Sequence, residues 1–222
     1  MERLFSVFAE LWRVLREDGV LWVNIGDGYT SGNRGWRAPD RKNRARAMAV
    51  RPDTPDGLKP KDLLGIPWRL AFRLQAAGWF LRADIIWNKP NAMPESVKDR
   101  PTRAHEYLFM FTKSERYFYN HMAMLEGNGR NRRTVWDIPT QAFAGAHFAT
   151  FPPRLVEPCI LASTRRGDFV LDPFFGAGTV GLVAQQHDRR FIGIELNPDY
   201  VGLAAQRLSM PTDRVLREVP ER

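Results

Sequence analysis

The chain has 222 residues, of which 44% are hydrophobic, so it is long enough to bury the core of one globular domain. Lys and Arg outnumber Asp and Glu by 33 to 25, and the resulting net charge of +8 favours a polyanionic partner. The single cysteine excludes an internal disulfide and fits a cytoplasmic protein. No apolar run is long enough to span a membrane. The histidines are scattered, which predicts that there is no metal site.

The first quarter of the chain predicts a helix, a strand and a long basic loop. Apolar residues recur at helical spacing over residues 2–17, and a buried strand is predicted over Val20–Ile25. The hydrophobic period then vanishes over residues 31–60, which predicts a basic loop. A solvated charge run is the alternative to a loop that binds DNA phosphates. The candidate DNA-binding arginines in this loop are Arg34, Arg37, Arg41, Arg44 and Arg46.

The middle of the chain predicts helices over residues 63–77 and 153–163, and strands over 80–87 and 107–112. Residues 116–119 are expected to close a hairpin with the second of these strands, and residues 121–146 are expected to be irregular. Residues 114–147 form a candidate small target-recognition region within a single domain that spans residues 1–222. Its basic cluster, also a candidate for binding DNA, consists of Arg130, Arg132 and Arg133.

The last quarter of the chain carries the strongest signal. An apolar strand over residues 169–171 ends in Asp172, and a glycine-rich turn and a helix follow. A second apolar strand over residues 191–194 ends in Glu195. This order of strand, glycine turn, helix, strand and carboxylate predicts half of a nucleotide-binding fold. The glycines allow close approach of a ligand, and a carboxylate at a strand tip suits the two hydroxyls of a ribose.

The identity of the nucleotide is indicated by Asp172. Residues 176–181 fit G-x-G-x-x-G, which alone is a weak signal for a dinucleotide. A carboxylate beside the glycines would repel a pyrophosphate but attract a cationic ligand. Too little chain follows the motif for a dinucleotide domain. S-adenosylmethionine, a cation with a ribose and no phosphate, fits both facts, and a dinucleotide-dependent oxidoreductase is the alternative.

The same residues resemble the amino-directed DNA methyltransferases of the permuted, beta-type motif order. DPFFGAGTVGLVA and FIGIELNPDYV are similar to the cofactor motifs of that family, and HFATFPPRL resembles the segment that precedes them. GWFLRADIIWNK, RAHEYLFMFTK and LWRVLREDGVLWVNIGD resemble parts of the catalytic half. The resemblance implies a Rossmann-like α/β fold. It also implies methylation of N4 of cytosine or N6 of adenine in double-stranded DNA, in a restriction–modification setting.

The resemblance also implies which residues bind the cofactor. It implies that Asp172 and Phe174 lie near the methionine and adenosine ends of the cofactor, and that the ligand closely approaches Gly176 and Gly178. It implies that Thr179 lies at the helix start, that Glu195 binds the ribose and that Asn197 lies by the adenine. The residues implied to close the methionine side are Phe148, Thr150 and Phe151.

One departure from the family concerns the catalytic tetrapeptide, Asp/Asn/Ser-Pro-Pro-aromatic, which lies upstream of the helix that here begins at about Arg3. The chain contains no such tetrapeptide, since FPPR lacks both the polar acceptor and the aromatic residue. We therefore assign no catalytic residue, and we expect a central strand to be absent and the chain alone to have little activity. A truncated product, a wrongly assigned start and half of a split enzyme are the alternatives. A non-catalytic complementing subunit that binds DNA is the second functional hypothesis.

Four further positions admit two interpretations each. Cys159 is expected to be a packed core thiol, although Pro-Cys also occurs as a nucleophile dipeptide of C5-cytosine methyltransferases. Asp27 could line a pocket or cap a turn. His105 and Glu106 could act as an acid/base pair, but an orienting hydrogen bond or a surface pair is expected. Lys89 could contact the DNA backbone or be solvated.

Overall fold

The computed structural model describes residues 1–30, 53–141 and 151–208. Within these residues the chain forms five α-helices, six strands and one 3₁₀ turn over His121–Met124. The helices are α1 (Glu2–Val14), α2 (Ile66–Ala76), α3 (Pro153–Ser163), α4 (Thr179–Gln186) and α5 (Pro198–Arg207). The strands are β1 (Val20–Ile25), β2 (Phe80–Asn88), β3 (His105–Thr112), β4 (Val135–Asp137), β5 (Phe169–Asp172) and β6 (Arg190–Gly193).

Four strands form a mixed sheet in the order β1-β3-β2-β4. β3 runs antiparallel to both of its neighbours, and β4 runs parallel to β2. The last five residues of β3 are all buried, and Phe109 and Phe111 have no exposed surface. A strand that is covered on both faces needs apolar side chains on both, which is why LFMF occurs here without alternation.

Helices α1 and α2 cover one face of this sheet. Phe8 and Leu11 of α1 and Leu70 and Leu74 of α2 share one apolar cluster with Phe109 of β3. The apolar positions of α1 recur every three or four residues, so they lie along one side of the helix. α1 ends at Val14, earlier than the predicted residue 17, because Leu15 already has an extended backbone.

The last two strands, β5 and β6, pair parallel in a separate sheet. Helix α4 connects them, and its Val183 packs with Val170 of β5 and Phe191 of β6. Helix α3 joins the two sheets. Its Cys159 lies in a cluster with β2 and β3, and its Ile160 lies in the cluster with α4. This layered arrangement of helices on a mixed sheet and a parallel strand pair agrees with the predicted α/β class.

Strands β1 and β5 begin at the same end of the molecule. The guanidinium of Arg165, four residues before β5, lies 3.9 Å from the centroid of the Phe118 ring. The Phe118 N–H donates to the carbonyl of Asp18, two residues before β1, at 3.0 Å. Among the described residues β1 pairs only with β3, and β5 pairs only with β6. Each of the two strands therefore has an edge that no described strand covers.

Two local predictions were wrong. No hairpin forms between residues 116–119 and β3, because β1 and β2 already occupy both edges of β3. The stretch over residues 121–146, expected to be irregular, contains β4, whose Trp136 is buried against the four-stranded sheet. Most of the predicted basic loop, residues 31–52, lies outside the described residues. No helix in the described part of the chain is long and apolar enough to cross a bilayer.

Candidate cofactor site

The carboxyl ends of β5 and β6 meet at a glycine-rich turn. Asp172 is the last residue of β5, and Glu195 follows β6 by two residues. Backbone pairing continues past the strands, since the Ile194 N–H donates to the Asp172 carbonyl at 2.9 Å. The Phe175 N–H in turn donates to the Ile194 carbonyl at 3.0 Å. The structure thus brings the two predicted strand-tip acids to adjacent ends of one sheet.

The Glu195 carboxylate is fixed by two backbone N–H groups. Its Oε2 accepts from Gly176 at 2.7 Å, and its Oε1 accepts from Asn197 at 2.8 Å. Each oxygen of an ionised carboxylate can accept more than one hydrogen bond, so both retain capacity for a ligand hydroxyl. The Glu195 side chain therefore orders the turn and still presents acceptors at the strand tip.

Asp172 lies in a more enclosed position. Burial raises the pKa of its carboxyl group, and the nearby charge of Glu195 raises it further, whereas a hydrogen bond from the Phe174 N–H at 3.0 Å lowers it. Two carboxylates at neighbouring strand ends destabilise each other's charge. A cation bound between them would relieve that repulsion, whereas a phosphate would increase it.

The ring of Phe175 occupies a notch that glycines create. A Cβ built on Gly193 would lie 2.3 Å from the ring, and one on Gly181 would lie 2.7 Å from it. The ring also stacks on Phe191 at 5.6 Å between centroids. The last glycine of the G-x-G-x-x-G pattern is thus required by an aromatic side chain of the chain itself, a role that the sequence pattern does not reveal.

The first two glycines of the pattern differ in their surroundings. Both have left-handed backbones, with φ of +50° at Gly176 and +76° at Gly178. A Cβ on Gly176 would meet nothing closer than 3.9 Å, so this position borders open space. A Cβ on Gly178 would lie 3.1 Å from the Cβ of Ala204 in α5. The Cβ direction of Gly178 is therefore occupied by helix packing, whereas that of Gly176 is open, and approach of a ligand to the two glycines stays a prediction.

Two further predicted contacts are directed into the chain. Thr179 does begin α4, as expected, but its hydroxyl is buried and accepts a hydrogen bond from Arg207 at 2.9 Å. The side-chain oxygen of Asn197 caps α5 by accepting from the Asp199 N–H at 2.9 Å. The Thr179 hydroxyl and the Asn197 side-chain oxygen are thus bonded within the chain, and contact of either residue with the cofactor stays a prediction.

The outward side of the turn is apolar. Phe174 lies two residues before Gly176, Leu196 directly follows Glu195, and the two side chains are 57% and 87% exposed. Exposed apolar side chains next to a candidate ligand site are available for contact with that ligand. The predicted place of Phe174 near the cofactor agrees with this exposure, whereas Leu196 was not predicted.

The segment predicted to close the methionine side is only partly described. Phe148 and Thr150 lie outside the described residues. Phe151 is half-buried and packs against the cluster that contains Trp136 and Leu155. Its contact with a cofactor stays a prediction.

The structure also describes only some of the predicted DNA-binding arginines. Arg34, Arg37, Arg41, Arg44 and Arg46 lie outside the described residues. Arg130 and Arg133 are exposed beside β4. The Arg132 guanidinium lies 5.1 Å from the centroid of the Trp136 ring, and Arg133 lies 3.9 Å from Glu126. These three arginines lie in the segment that leads into β4, the outermost strand of the four-stranded sheet.

The structure decides the interpretations that the sequence left open. The Asp27 carboxylate accepts from the N–H groups of Gly28, Gly65 and Ile66, so it caps the start of α2. Cys159 is buried in the core, and burial raises the pKa of its thiol, so it is not a nucleophile.

A partly buried ion pair explains the other two positions. Lys89 pairs with Glu106, and its ammonium lies 4.3 Å from the centroid of the Trp87 ring. Lys89 is therefore neither simply solvated nor free for DNA. No group of three or more His, Cys, Asp or Glu side chains in the described ranges could hold a metal ion.

Comparison with known proteins identifies the family. The family model of N6 and N4 methyltransferases, described as DNA methylase, matches residues 1–206. The chain is 69% identical over 221 residues to the Type II methyltransferase M.Cfr9I of Citrobacter freundii, covering 98% of this chain and 74% of the relative. It is 55% identical over 211 residues to M.SmaI of Serratia marcescens, covering 92% of this chain and 72% of that protein.

Solved structures show the same fold. The PvuII DNA methyltransferase, which is cytosine-N4-specific, superposes with a TM-score of 0.72 at 24% identity, covering 96% of this chain and 73% of that one. TTHA0409 of Thermus thermophilus, solved with S-adenosyl-L-methionine, superposes with a TM-score of 0.68 at 25% identity, covering 94% and 76%. The predicted Rossmann-like methyltransferase fold is confirmed. The chain belongs to the DNA methylase family of amino-directed, N6 and N4, methyltransferases.

Proposed function

We propose that the turn between β5 and α4 binds S-adenosylmethionine for methylation of an exocyclic amino group, N4 of cytosine or N6 of adenine, in double-stranded DNA. The observation that carries the assignment is the pair of strand-tip carboxylates, Asp172 and Glu195, on either side of an outward-facing glycine. This donor set suits a ligand with positive charge and ribose hydroxyls and disfavours one with phosphates. A DNA substrate and a reduced thiol fit a cytoplasmic enzyme.

The residues of the site fit S-adenosylmethionine end by end. When bound, the cofactor supplies the methyl group from its sulfonium. We assign the Glu195 carboxylate, which retains acceptor capacity, to the ribose hydroxyls, and the exposed side chains of Phe174 and Leu196 to the adenine ring. Asp172 provides the negative charge that balances the ammonium or sulfonium. These residues bind and orient the cofactor, and none of them moves a proton in the reaction.

Calorimetry on the full chain tests the cofactor assignment. We expect S-adenosylhomocysteine to bind and NADH not to bind. Glu195→Gln should lower the affinity for S-adenosylhomocysteine by about 10-fold, because it removes a charge-assisted acceptor. Asp199→Asn removes an exposed carboxylate four residues away and should leave the affinity within about twofold. Binding of NADH alone would replace this assignment with a dinucleotide-dependent one.

The arginine surface beside β4 is proposed to contact DNA phosphates. Arg130 and Arg133 are exposed, and Arg132 is held over Trp136. Each phosphate contact that is lost should reduce the slope of log affinity against log salt by about one. We expect that reduction for Arg133→Ala and not for Arg13→Ala, which removes an exposed arginine of α1 that pairs with Glu10. If the slope of log affinity against log salt were equal in both variants, DNA would bind at another surface.

A second candidate role, as a complementing part of a split methyltransferase, is supported by the edges of β1 and β5. β1 has the sequence VLWVNI, without charge or proline, yet it ends a sheet in the described structure. Native edge strands are normally protected by charges, proline or a covering element. Phe169 at the start of β5 is 56% exposed. These features favour a further strand that pairs with both edges at once.

The proposed occupant of this gap is an apolar strand that runs parallel to β1 and β5. The chain covers 74% of M.Cfr9I, so about a quarter of that relative lies outside the aligned region and is a natural probe. Mixing the chain with that part of M.Cfr9I should slow hydrogen exchange in β1 and β5 by at least about 10-fold. With labelled S-adenosylmethionine, the mixture should methylate unmethylated genomic DNA robustly, whereas the chain alone should methylate it little.

Matched variants distinguish strand pairing from nonspecific association. Phe169 and Val135 each begin a strand, and they are 56% and 58% exposed. Phe169→Glu should weaken binding of the M.Cfr9I part by about 10-fold, because a buried unpaired charge opposes docking, whereas Val135→Glu at the far edge should not. Strong methylation by the chain alone, or equal effects of both variants, would refute the complementing role.

A further inference from the structure

Helix α5 holds the glycine turn from behind. The Nη1 of Arg207, the last residue of α5, donates to the Ala177 carbonyl at 3.2 Å and to the Thr179 hydroxyl at 2.9 Å. Ala177 and Thr179 are both buried. We infer that Arg207 is a positioning residue, which sets the affinity for the cofactor by fixing the turn without touching the ligand. This inference rests on the proposed binding of S-adenosylmethionine at the turn.

The turn is held on two sides. On the outward side the Glu195 carboxylate accepts from the Gly176 N–H at 2.7 Å. On the inner side Arg207 binds the carbonyl of the next residue, Ala177. Gly178 then packs against Ala204 of the same helix, with only 3.1 Å available to a Cβ. Three consecutive residues of the turn are therefore each fixed by a different group.

Helix α5 also links these two sides. Glu195 lies just before the helix, Asn197 caps its first turn, and Arg207 ends it. A shift of the helix would therefore disturb both Glu195 and the Ala177 carbonyl. The helix thus couples the residue proposed to bind ribose to the residue that supports the turn.

Loss of Arg207 would leave two buried acceptors without that donor. A buried polar group that loses its partner destabilises the conformation that buries it. The turn would then sample other conformations, and the cofactor would have to order it on binding. The burial that surrounds the guanidinium lowers the pKa of Arg207, so the side chain sits in an environment that disfavours an unpaired charge.

The test compares cofactor affinity in substituted full-length chains. Arg207→Met keeps the length and removes both donors, and we expect S-adenosylhomocysteine to bind about 10-fold more weakly in calorimetry. Arg207→Lys restores a charged donor on a shorter side chain with different geometry and should recover part of the loss. Arg190→Met is the matched control, because the Arg190 Nε donates to the Gly167 carbonyl at 2.8 Å at the opposite end of the same strands.

A double-mutant cycle distinguishes positioning from general destabilisation. Thr179→Val removes the hydroxyl that Arg207 binds, so Arg207→Met should have a smaller effect in that background. DNA affinity should be unchanged in Arg207→Met, whereas a partly unfolded chain would lose both affinities. Unchanged cofactor affinity in Arg207→Met, or an equal loss in Arg190→Met, overturns the inference. A wild-type chain that binds no S-adenosylhomocysteine overturns the proposed function instead.

Discussion

The ring of Phe175 lies where a side chain at Gly193 would have to be. A Cβ at Gly193 would come within 2.3 Å of the ring carbon Cγ, closer than any two unbonded carbons can approach. Gly193 ends β6, and Phe175 lies in the turn after β5. This fit between an aromatic ring and a glycine brings the two strand tips together, and with them Asp172 and Glu195.

Gly193→Ala should therefore destabilise the fold. The new methyl group must displace the Phe175 ring or the strand, and overpacking of this kind costs about 1–3 kcal/mol. Urea unfolding measures the difference. Gly202→Ala is the control, because a Cβ there meets nothing within 4 Å in the middle of α5 and should stabilise the helix by about 0.5–1 kcal/mol. Equal stability of Gly193→Ala and wild type would mean that the ring is free to move.

The raised pKa of Asp172 predicts a dependence of stability on pH. Because its folded pKa lies above the unfolded value, the folded chain binds more protons between the two values, and stability from this group falls as pH rises through that window. Asp172→Asn should therefore be more stable than wild type at neutral pH.

Asp172→Asn should also lower the affinity for the cofactor by about 10-fold, because the charge that balances a cation is lost. Affinity in wild type should fall as pH drops through the Asp172 pKa. Asp168→Asn, at the opposite end of β5, serves as the control for both measurements. A variant that is less stable and binds equally well would contradict the assigned role of Asp172.

Asp27→Ala should destabilise the chain without affecting the cofactor. The carboxylate serves three N–H groups, among them those of Gly65 and Ile66 at the start of α2. Loss of a helix cap with several buried donors costs about 2 kcal/mol. Denaturant unfolding and calorimetry with S-adenosylhomocysteine give the two readouts. Asp56→Ala, at an exposed position, should change stability by less than about 0.5 kcal/mol.

Cys159 should be unreactive in the folded chain. The residue is 5% exposed, and burial raises the pKa of its thiol, so the thiolate is scarce and inaccessible. A thiol reagent should label it at least about 100-fold more slowly in buffer than in urea. Rapid labelling of the native chain would reopen the nucleophile interpretation.

The cofactor half could be predicted from sequence because its signals are local. The glycine turn, the short apolar strands and the acids that follow them are adjacent in the chain, and their order alone predicts where Asp172 and Glu195 lie. The hydrogen bonds that Thr179 and Asn197 make within the chain were not predicted. Their neighbours in space, Arg207 and the start of α5, decide which way their polar atoms point.

The sequence by itself determined the α/β class, the residues at the strand tips and most of the helices and strands, though not β4 or α5, since backbone periodicity and glycine placement are encoded residue by residue. Only the tertiary structure decided that Asp27 caps a helix 38 residues later and that β1 and β5 lie in separate sheets. It also decided that Phe175 requires Gly193. These depend on contacts between segments that are distant in the chain, and no local pattern records such distances.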